Sequence, residues 1–249
     1  AKPGGVEDVV DFSDHMSQQR HKYIRKYMSY VFADTTKKGT DDWWQCIGGI
    51  DGFNENRKTS VLASFMKVLD ESMSAYKPQT RKTGNLPHLT SIKRKPEPLG
   101  TEVKVVACAA TRMFLHLELQ RGKTAMHKAK YTNEVKHTSA NVKRLSEATI
   151  RDTNISAIEN VQFPIPKQLF IGDSWFSSVC TAREVAKTGH HYIGVVKTAY
   201  ATYPKKFLED TMKIWPGGSY LVLEATDPEG IGLIAVGYKY NSKKAMCFV

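Results

Sequence analysis

The stretch Phe65-Met66-Lys67-Val68-Leu69-Asp70-Glu71 decides the fold of this chain, because it is a short apolar run that closes on two acids. A second stretch, Gln168-Leu169-Phe170-Ile171-Gly172-Asp173, has the same form. Short apolar runs of this length are typical of strands buried within a sheet. The sequence therefore predicts two buried strands, over 65–70 and 168–172, each of which ends at an Asp.

The segments around these two strands alternate between strand and helix patterns. A hairpin is predicted over 103–119 and a third short strand over 192–196. Helices are predicted over 15–33, 140–153, 176–187 and 204–212, and Ser174 is the expected N-cap of the third. A hairpin and helical crossovers that feed one layer indicate an α/β fold with a mixed sheet flanked by helices. Three more strands are predicted near the end, over 220–224, 231–238 and 245–249.

Composition excludes several classes of protein. The four cysteines lie far apart and show no Cys/His ligand spacing, so neither a zinc site nor a disulfide framework is expected. Gly48, Gly49 and Gly52 fit no phosphate-loop spacing and are expected in turns, so no small-molecule cofactor is expected. No apolar run reaches the roughly 18–20 residues that span a bilayer, so no membrane partner is expected. Because the chain starts at Ala1 and stops inside a predicted strand, we expect a piece of a longer product.

The formal net charge of +11 is concentrated in one part of the chain. Residues 73–130 hold 12 Lys/Arg against 3 Asp/Glu, a net charge of +9, whereas residues 1–72 have a net charge of −1 and residues 131–249 of +3. Four prolines between Pro78 and Pro98 predict an extended basic loop over 77–100. A concentrated basic block favours a polyanionic partner, nucleic acid first. A solvated basic face is the alternative.

Asp70 and Asp173 are candidate metal ligands if their two strands are neighbours. Two carboxylates held together repel unless they are protonated or bridged by a cation, and carboxylate oxygens select Mg²⁺ or Mn²⁺ over zinc. Two such ions about 4 Å apart can activate a water or hydroxyl and stabilise the leaving oxygen of a phosphodiester. The alternative is structural, because Asp often follows a strand as a turn former or a helix N-cap. Spacing alone leaves both interpretations open.

Two blocks of the sequence resemble piggyBac-type transposases. The first catalytic block of that family is similar to Asp70-Glu71-Ser72-Met73-Ser74-Ala75-Tyr76-Lys77-Pro78, which follows Val68-Leu69. The second is similar to Ile171-Gly172-Asp173-Ser174-Trp175-Phe176-Ser177-Ser178. The segment that leads into the first block resembles Trp43-Trp44 and Gly52-Phe53-Asn54-Glu55-Asn56-Arg57. The similarity extends from about Met16 to the end of the chain.

The resemblance implies a ribonuclease H-like core that cuts and rejoins DNA with three acids and Mg²⁺ or Mn²⁺. By position it assigns Asp70 and Asp173 as the first two catalytic metal ligands, with Glu71 as a companion outside the three. It implies a helical lead-in segment over 1–60, the catalytic core over 61–215 and the start of a β-rich insertion over 216–249. The third acid of the family lies beyond such an insertion. The acids that remain lack its context: Glu209, Asp210 and Asp227.

The expected function is that of a DNA transposase core acting on transposon ends and target DNA in the nucleus, and a homodimer is an assembly compatible with it. The residues expected near the DNA backbone are Lys77, Arg81, Lys82, Lys93, Arg94 and Lys95. Trp175 and Phe176 are expected to pack and to orient Asp173. Without the third acid the chain is expected not to cleave DNA. Two alternatives stay open: a decayed or domesticated transposase derivative that binds DNA without cutting it, and an unrelated basic α/β binding module.

Overall fold

The computed structural model describes residues 16–27, 33–61, 63–75, 87–93, 95–150, 167–197 and 201–249. The chain divides into two units, residues 1–48 and 49–249. The described part of the first unit contains helix α1 (Gln18–Tyr27) and a 3-10 turn over Thr35–Lys37. Helix α2 covers Ile47–Ser60. Among the described residues, no helix combines the length and apolar character that crossing a bilayer requires.

A mixed sheet forms the centre of the second unit. Its strands are β1 (Met66–Ala75), β2 (Thr90–Ser91), β3 (Leu99–Cys108), β4 (Phe114–Leu119), β5 (Leu169–Gly172) and β6 (His191–Gly194). β1 lies in the middle, antiparallel to β3 on one side and parallel to β5 on the other. β6 continues the parallel side, and both β2 and β4 pair with the outer edge of β3. This is the mixed sheet that the sequence predicts.

Helices cover one face of this sheet. The short helix α3 (Lys123–His127) follows β4 along the chain, and the covering helices are α4 (His137–Thr149) and α5 (Val179–Lys187). The core joins strand side chains to helix side chains; its fully buried members include Leu69, Val106 and Phe170 from the strands and Val142, Leu145 and Val185 from the helices. Leu69 and Val106 face each other across the β1–β3 ladder, so they project from the same face. Burial of these apolar side chains is what holds α4 and α5 on the sheet.

Helix α2 is attached to the sheet through side chains of the lead-in segment. The Asn54 side chain makes two hydrogen bonds to the backbone of Leu117 on β4, one donated and one accepted, each 2.9 Å long. Arg57 donates to the carbonyl oxygen of Ala148 near the end of α4, at 3.1 Å. Both contacts satisfy backbone groups that regular structure leaves unpaired.

A second, antiparallel sheet follows the mixed one. Helix α6 (Lys205–Thr211) precedes β7 (Tyr220–Thr226), β8 (Gly232–Asn241) and β9 (Lys244–Phe248), which pair in chain order. Two backbone hydrogen bonds between Gly194 and Val249 attach the end of β9 to the end of β6. A second buried cluster under this sheet contains Tyr203, Leu208 and Cys247.

The predicted fold class is confirmed, and several local predictions are wrong. β1 does not end at Asp70 but continues to Ala75, because its residues pair with β3 over this whole length. Gly48, Gly49 and Gly52 lie in helix α2 and not in turns. The helix predicted over 140–153 begins earlier, at His137. The predicted segment boundaries at 60/61 and 215/216 stay predictions.

Candidate active site

Asp70 and Asp173 occupy neighbouring positions on two parallel strands. The pairing of β1 with β5 ends where Leu69 lies opposite Gly172; Asp70 is the next residue on β1, and Asp173 directly follows β5. Adjacent strands lie about 4.8 Å apart, so the two residues start from neighbouring backbone positions. Both side chains are exposed. The sheet thus places both aspartates, with exposed side chains, where the pairing of β1 with β5 ends.

The backbone on both sides of Asp70 is held by β3. Asp70 lies opposite Val105, and the ladder continues to Ala75 opposite Gly100. Oδ1 of Asp70 accepts a hydrogen bond from the backbone N–H of Glu71, with an N–O distance of 2.7 Å. Asp70 is therefore an interior residue of a strand that is paired on one edge and open on the other.

A turn and two serines hold the backbone around Asp173. Oδ1 of Asp173 accepts a hydrogen bond from the Trp175 N–H at 2.8 Å, as in an Asx turn. The Ser177 hydroxyl donates to the carbonyl oxygen of Asp173 at 2.5 Å. The Ser178 hydroxyl accepts from the Thr181 N–H at 3.1 Å and is the N-cap of α5. The prediction of Ser174 as this cap is wrong, because residues 174–176 form the turn and α5 starts at Val179.

Two glycines make room for this turn. A Cβ atom on Gly172 would collide with the Tyr192 hydroxyl, and one on Gly194 would collide with the Ser177 hydroxyl. The Ser177 and Tyr192 hydroxyls lie 3.0 Å apart and share a hydrogen bond. Burial raises the pKa of the Tyr192 hydroxyl, so it stays protonated. Asp173 is consequently held by a packed, neutral hydrogen-bond network.

Charged residues are buried on the helix-covered face, beneath the aspartate pair. Glu71 shares the face of Leu69, since side chains alternate along a strand, and it is buried. Lys95 Nζ lies 3.7 Å from Oε1 of Glu71 and 3.4 Å from its carbonyl oxygen. Lys104 on β3 lies opposite Glu71 and ion-pairs with Glu102 at 2.5 Å.

A second buried lysine lies at the other end of β1. Lys67 is fully buried, and its ammonium donates to the carbonyl oxygen of Thr149 and to Oε1 of Gln168. Thr149 is the last residue of α4 and Gln168 directly precedes β5. The positive charge therefore lies at the negative end of the α4 dipole and ties three elements of the core together.

Comparison with known proteins identifies the family. A family model described as Transposase IS4 matches residues 5–247. The chain belongs to this family. The resemblance to piggyBac-type transposases that the two blocks carry is thereby confirmed. No match was found among curated proteins.

A solved structure supports the same conclusion for the fold of this Transposase IS4 family member. A chain of the piggyBac transposase synaptic complex with hairpin DNA superposes with a TM-score of 0.64 at 17% sequence identity. The match covers 94% of this chain and 43% of that chain, so the present sequence spans less than half the length of the solved relative. At this identity the match shows the fold, which is the ribonuclease H-like fold that the resemblance implies.

The basic residues expected near DNA are only partly within the described residues of this transposase core. Lys77, Arg81, Lys82 and Arg94 lie outside them. Lys93 is exposed, whereas Lys95 is half-buried against Glu71. A role of these six residues in binding DNA stays a prediction.

Acids elsewhere in the described residues of this transposase core are engaged in other contacts. Asp227 accepts the Ile231 N–H and ion-pairs with Arg183 at 2.6 Å, and these contacts hold the pKa of its carboxyl below the usual value. Glu209 ion-pairs with Lys205 at 2.7 Å. Within the described ranges, no three His, Cys, Asp or Glu residues are grouped so that they could hold a metal ion.

Sequence reasoning singled out the two aspartates, whose role as metal ligands stays a prediction, and missed Lys104. Phe176 is fully buried, in agreement with its expected packing role, while the Trp175 side chain is 40% exposed and lies over the Lys104 ammonium. The sequence did not indicate that Lys104 is buried, because a lysine within an apolar strand is expected to face outward. Glu102 lies two residues away on the same strand, whereas Glu71 becomes a neighbour of Lys104 only through the register of the sheet.

Proposed function

We propose that this chain is the core of a piggyBac-type DNA transposase, which cleaves and rejoins phosphodiesters with Mg²⁺ or Mn²⁺. The observation that carries the proposal is the adjacency of Asp70 and Asp173 at the open edge of two parallel strands. The family and the fold support the same function. A structural role alone would not require two exposed carboxylates to be held side by side, since like charges repel.

The donor set fits a hard divalent cation. Each carboxylate accepts one backbone N–H through Oδ1, and within the described residues Oδ2 of each accepts no hydrogen bond. Asp70 and Asp173 would hold the ions, with further ligands from water, substrate and a third acid. Such ions, when bound, activate a water or hydroxyl and stabilise the leaving oxygen of a phosphodiester. The contribution of this chain is to fix both carboxylates before the substrate arrives.

DNA is the proposed substrate because the basic block follows Asp70 closely in the sequence. β1, which carries Asp70, leads directly into residues 76–98 and then into β3, so the net charge of +9 over 73–130 lies in the segments next to the first aspartate. Lysine and arginine side chains there would hold the phosphate backbone and set its position without reading sequence. We propose transposon ends and target DNA as the substrates and, in consequence, action in the nucleus.

Titration with Mn²⁺ tests the metal site in this chain. We expect the wild-type chain to bind Mn²⁺, and Asp70→Asn or Asp173→Asn to weaken the affinity at least about tenfold, as loss of a charged ligand does. Asp210→Asn is the matched control, because Asp210 is an exposed acid on α6 and should leave the affinity unchanged. Equal Mn²⁺ binding by wild type, D70N and D173N would overturn the proposal.

A second function, DNA binding without cleavage, is favoured by one observation. The described residues contain no third acid grouped with Asp70 and Asp173. A Mn²⁺-dependent nicking assay on supercoiled plasmid DNA, with the product of the complete gene, distinguishes the two. Nicking that is lost in D70N and D173N establishes the transposase, whereas salt-sensitive DNA binding without nicking establishes the binding protein.

A further inference from the structure

The buried ammonium group of Lys104 lies between the two segments that carry the aspartates. Lys104 is 2% exposed, and its Nζ lies 3.4 Å from the centre of the Trp175 ring and 5.2 Å from that of Phe176. The same Nζ ion-pairs with Glu102. A desolvated cation against an aromatic face is strongly attracted to the ring. Burying a charge is unfavourable unless it is paired, so these contacts determine where the ammonium lies.

Lys104 adjoins the Asp70 segment through the sheet. It lies directly opposite Glu71 in the β1–β3 ladder, and cross-strand neighbours have their Cβ atoms about 5 Å apart. Glu71 follows Asp70 and donates its backbone N–H to the Asp70 carboxylate. The side chain of Glu71 is buried on the helix-covered face and also contacts Lys95. Lys104 therefore belongs to a charged layer directly beneath Asp70.

Lys104 adjoins the Asp173 segment through Trp175. The Trp175 backbone N–H donates to Oδ1 of Asp173, and the Trp175 ring lies over the Lys104 ammonium. The ring also packs edge-on against Phe176, with centroids 4.8 Å apart. Because Trp175 is 40% exposed, general burial does not account for the position of its ring. The contacts with Lys104 and Phe176 do.

We propose that Lys104 is a positioning residue of the metal site: by holding Trp175 against β3 it fixes the Asp173 carboxylate next to Asp70. The inference rests on the proposed function, in which these two carboxylates share metal ions. In this inference Trp175, the Trp of the second block, holds the turn that carries Asp173 in place. In this role Lys104 acts through Trp175 and is not itself a ligand of the metal.

The test compares Mn²⁺ affinity and thermal stability in matched variants of the whole chain. Trp175→Leu removes the ring but keeps the backbone N–H, and Trp175→Phe keeps an aromatic face over Lys104. Lys104→Met keeps the volume and removes the charge. Lys143→Met is the control. Lys143, on α4, also makes an ion pair, with Glu184 at 2.8 Å, and an aromatic contact, with Tyr131 at 4.3 Å.

We expect W175L and K104M each to weaken Mn²⁺ affinity about tenfold, the usual effect of removing an outer-shell partner. W175F should restore most of the affinity, and K143M should bind Mn²⁺ as the wild type does. The double variant K104M/W175L should be no weaker than either single variant, since both act through one contact. If K104M does not fold, the contrast between W175L and W175F carries the test.

The outcomes separate this inference from the proposed function. If W175L and K104M bind Mn²⁺ like the wild type while D70N and D173N do not, the metal site stands and the positioning role of Lys104 is wrong. If W175F is as weak as W175L, or K143M as weak as K104M, the effect is one of general packing and the inference also fails. If D70N and D173N bind like the wild type, it is the proposed function that fails.

Discussion

The hydroxyl of Ser177 occupies the space that the missing side chain of Gly194 leaves open. This relationship joins the turn after β5 to the end of β6, and the same hydroxyl donates to the carbonyl oxygen of Asp173. The position of a proposed metal ligand thus depends on a residue with no side chain on a neighbouring strand.

Replacement of Gly194 by Ala should destabilise the fold. A Cβ at this position collides with Ser177, which can move only by giving up its hydrogen bonds, and overpacking of this kind lowers the free energy of unfolding by about 1–3 kcal/mol. Gly232→Ala is the control, because a Cβ at Gly232, at the start of β8, meets nothing within 4 Å. Urea denaturation of both variants measures the difference. Equal stability of G194A and G232A would contradict the close packing described here.

Replacement of Lys67 by Met should also lower the free energy of unfolding, by about 1–3 kcal/mol. The buried carbonyl oxygen of Thr149 and Oε1 of Gln168 would each lose a donor, and unpaired buried acceptors carry this penalty. Lys58→Met provides the comparison, since the Lys58–Glu55 pair is exposed and such pairs contribute about 0–1 kcal/mol. Thermal and urea unfolding would show the contrast, and a K67M chain as stable as K58M would disprove the role of Lys67.

The free energy of unfolding should fall as the pH is lowered, because His190 becomes protonated more readily in the unfolded chain. Its Nδ1 accepts the N–H of Gln168 at 3.1 Å, and burial, together with the nearby charge of Lys67, lowers its pKa below the usual value of 6.5. The unfolded chain therefore takes up this proton at a higher pH than the folded chain does. The stabilising contribution is complete above pH 6.5 and is lost as the pH falls below it.

Substitution of His190 isolates this contribution from that of the other histidines. His190→Asn keeps an acceptor and removes the titration, so its free energy of unfolding should decline less between pH 7 and pH 5 than that of the wild type. His191→Asn, at an exposed neighbour, should decline as the wild type does. Urea unfolding across this pH range measures the difference. Identical slopes of the free energy of unfolding against pH for H190N and wild type would count against the assignment.

Replacement of Lys93 by Gln should weaken DNA binding in a salt-dependent way. Lys93 is exposed within the basic block, and each lysine–phosphate contact contributes about one unit to the slope of log affinity against log salt. Lys58→Gln is the matched control, an exposed lysine in the part of the chain whose net charge is −1. Fluorescence anisotropy with a duplex at several salt concentrations measures the slope. A salt slope for K93Q equal to that of K58Q would show that Lys93 does not contact the DNA.

The sequence predicts the two central strands and both aspartates because continuous apolar runs have a strong and local signal. It does not predict the second half of β1, since Glu71-Ser72-Met73-Ser74-Ala75 has no apolar pattern and becomes a strand only by pairing with β3. Helix α2 contains three glycines and little amphipathic pattern, and it is held by Asn54 and Arg57. Lys104 illustrates the same limit for the site, because its neighbours Glu71 and Trp175 are distant in sequence.

The unequal pairing of β1 has a consequence for how the two carboxylates could move during a reaction. Asp70 is held firmly in the sheet, because the pairing of β1 with β3 continues for five residues beyond it. Asp173 is less constrained by the sheet, because its strand has ended and residues 174–178 connect it to α5. In the proposed reaction, any change in their separation would then be made by that connection while the central strand stays still.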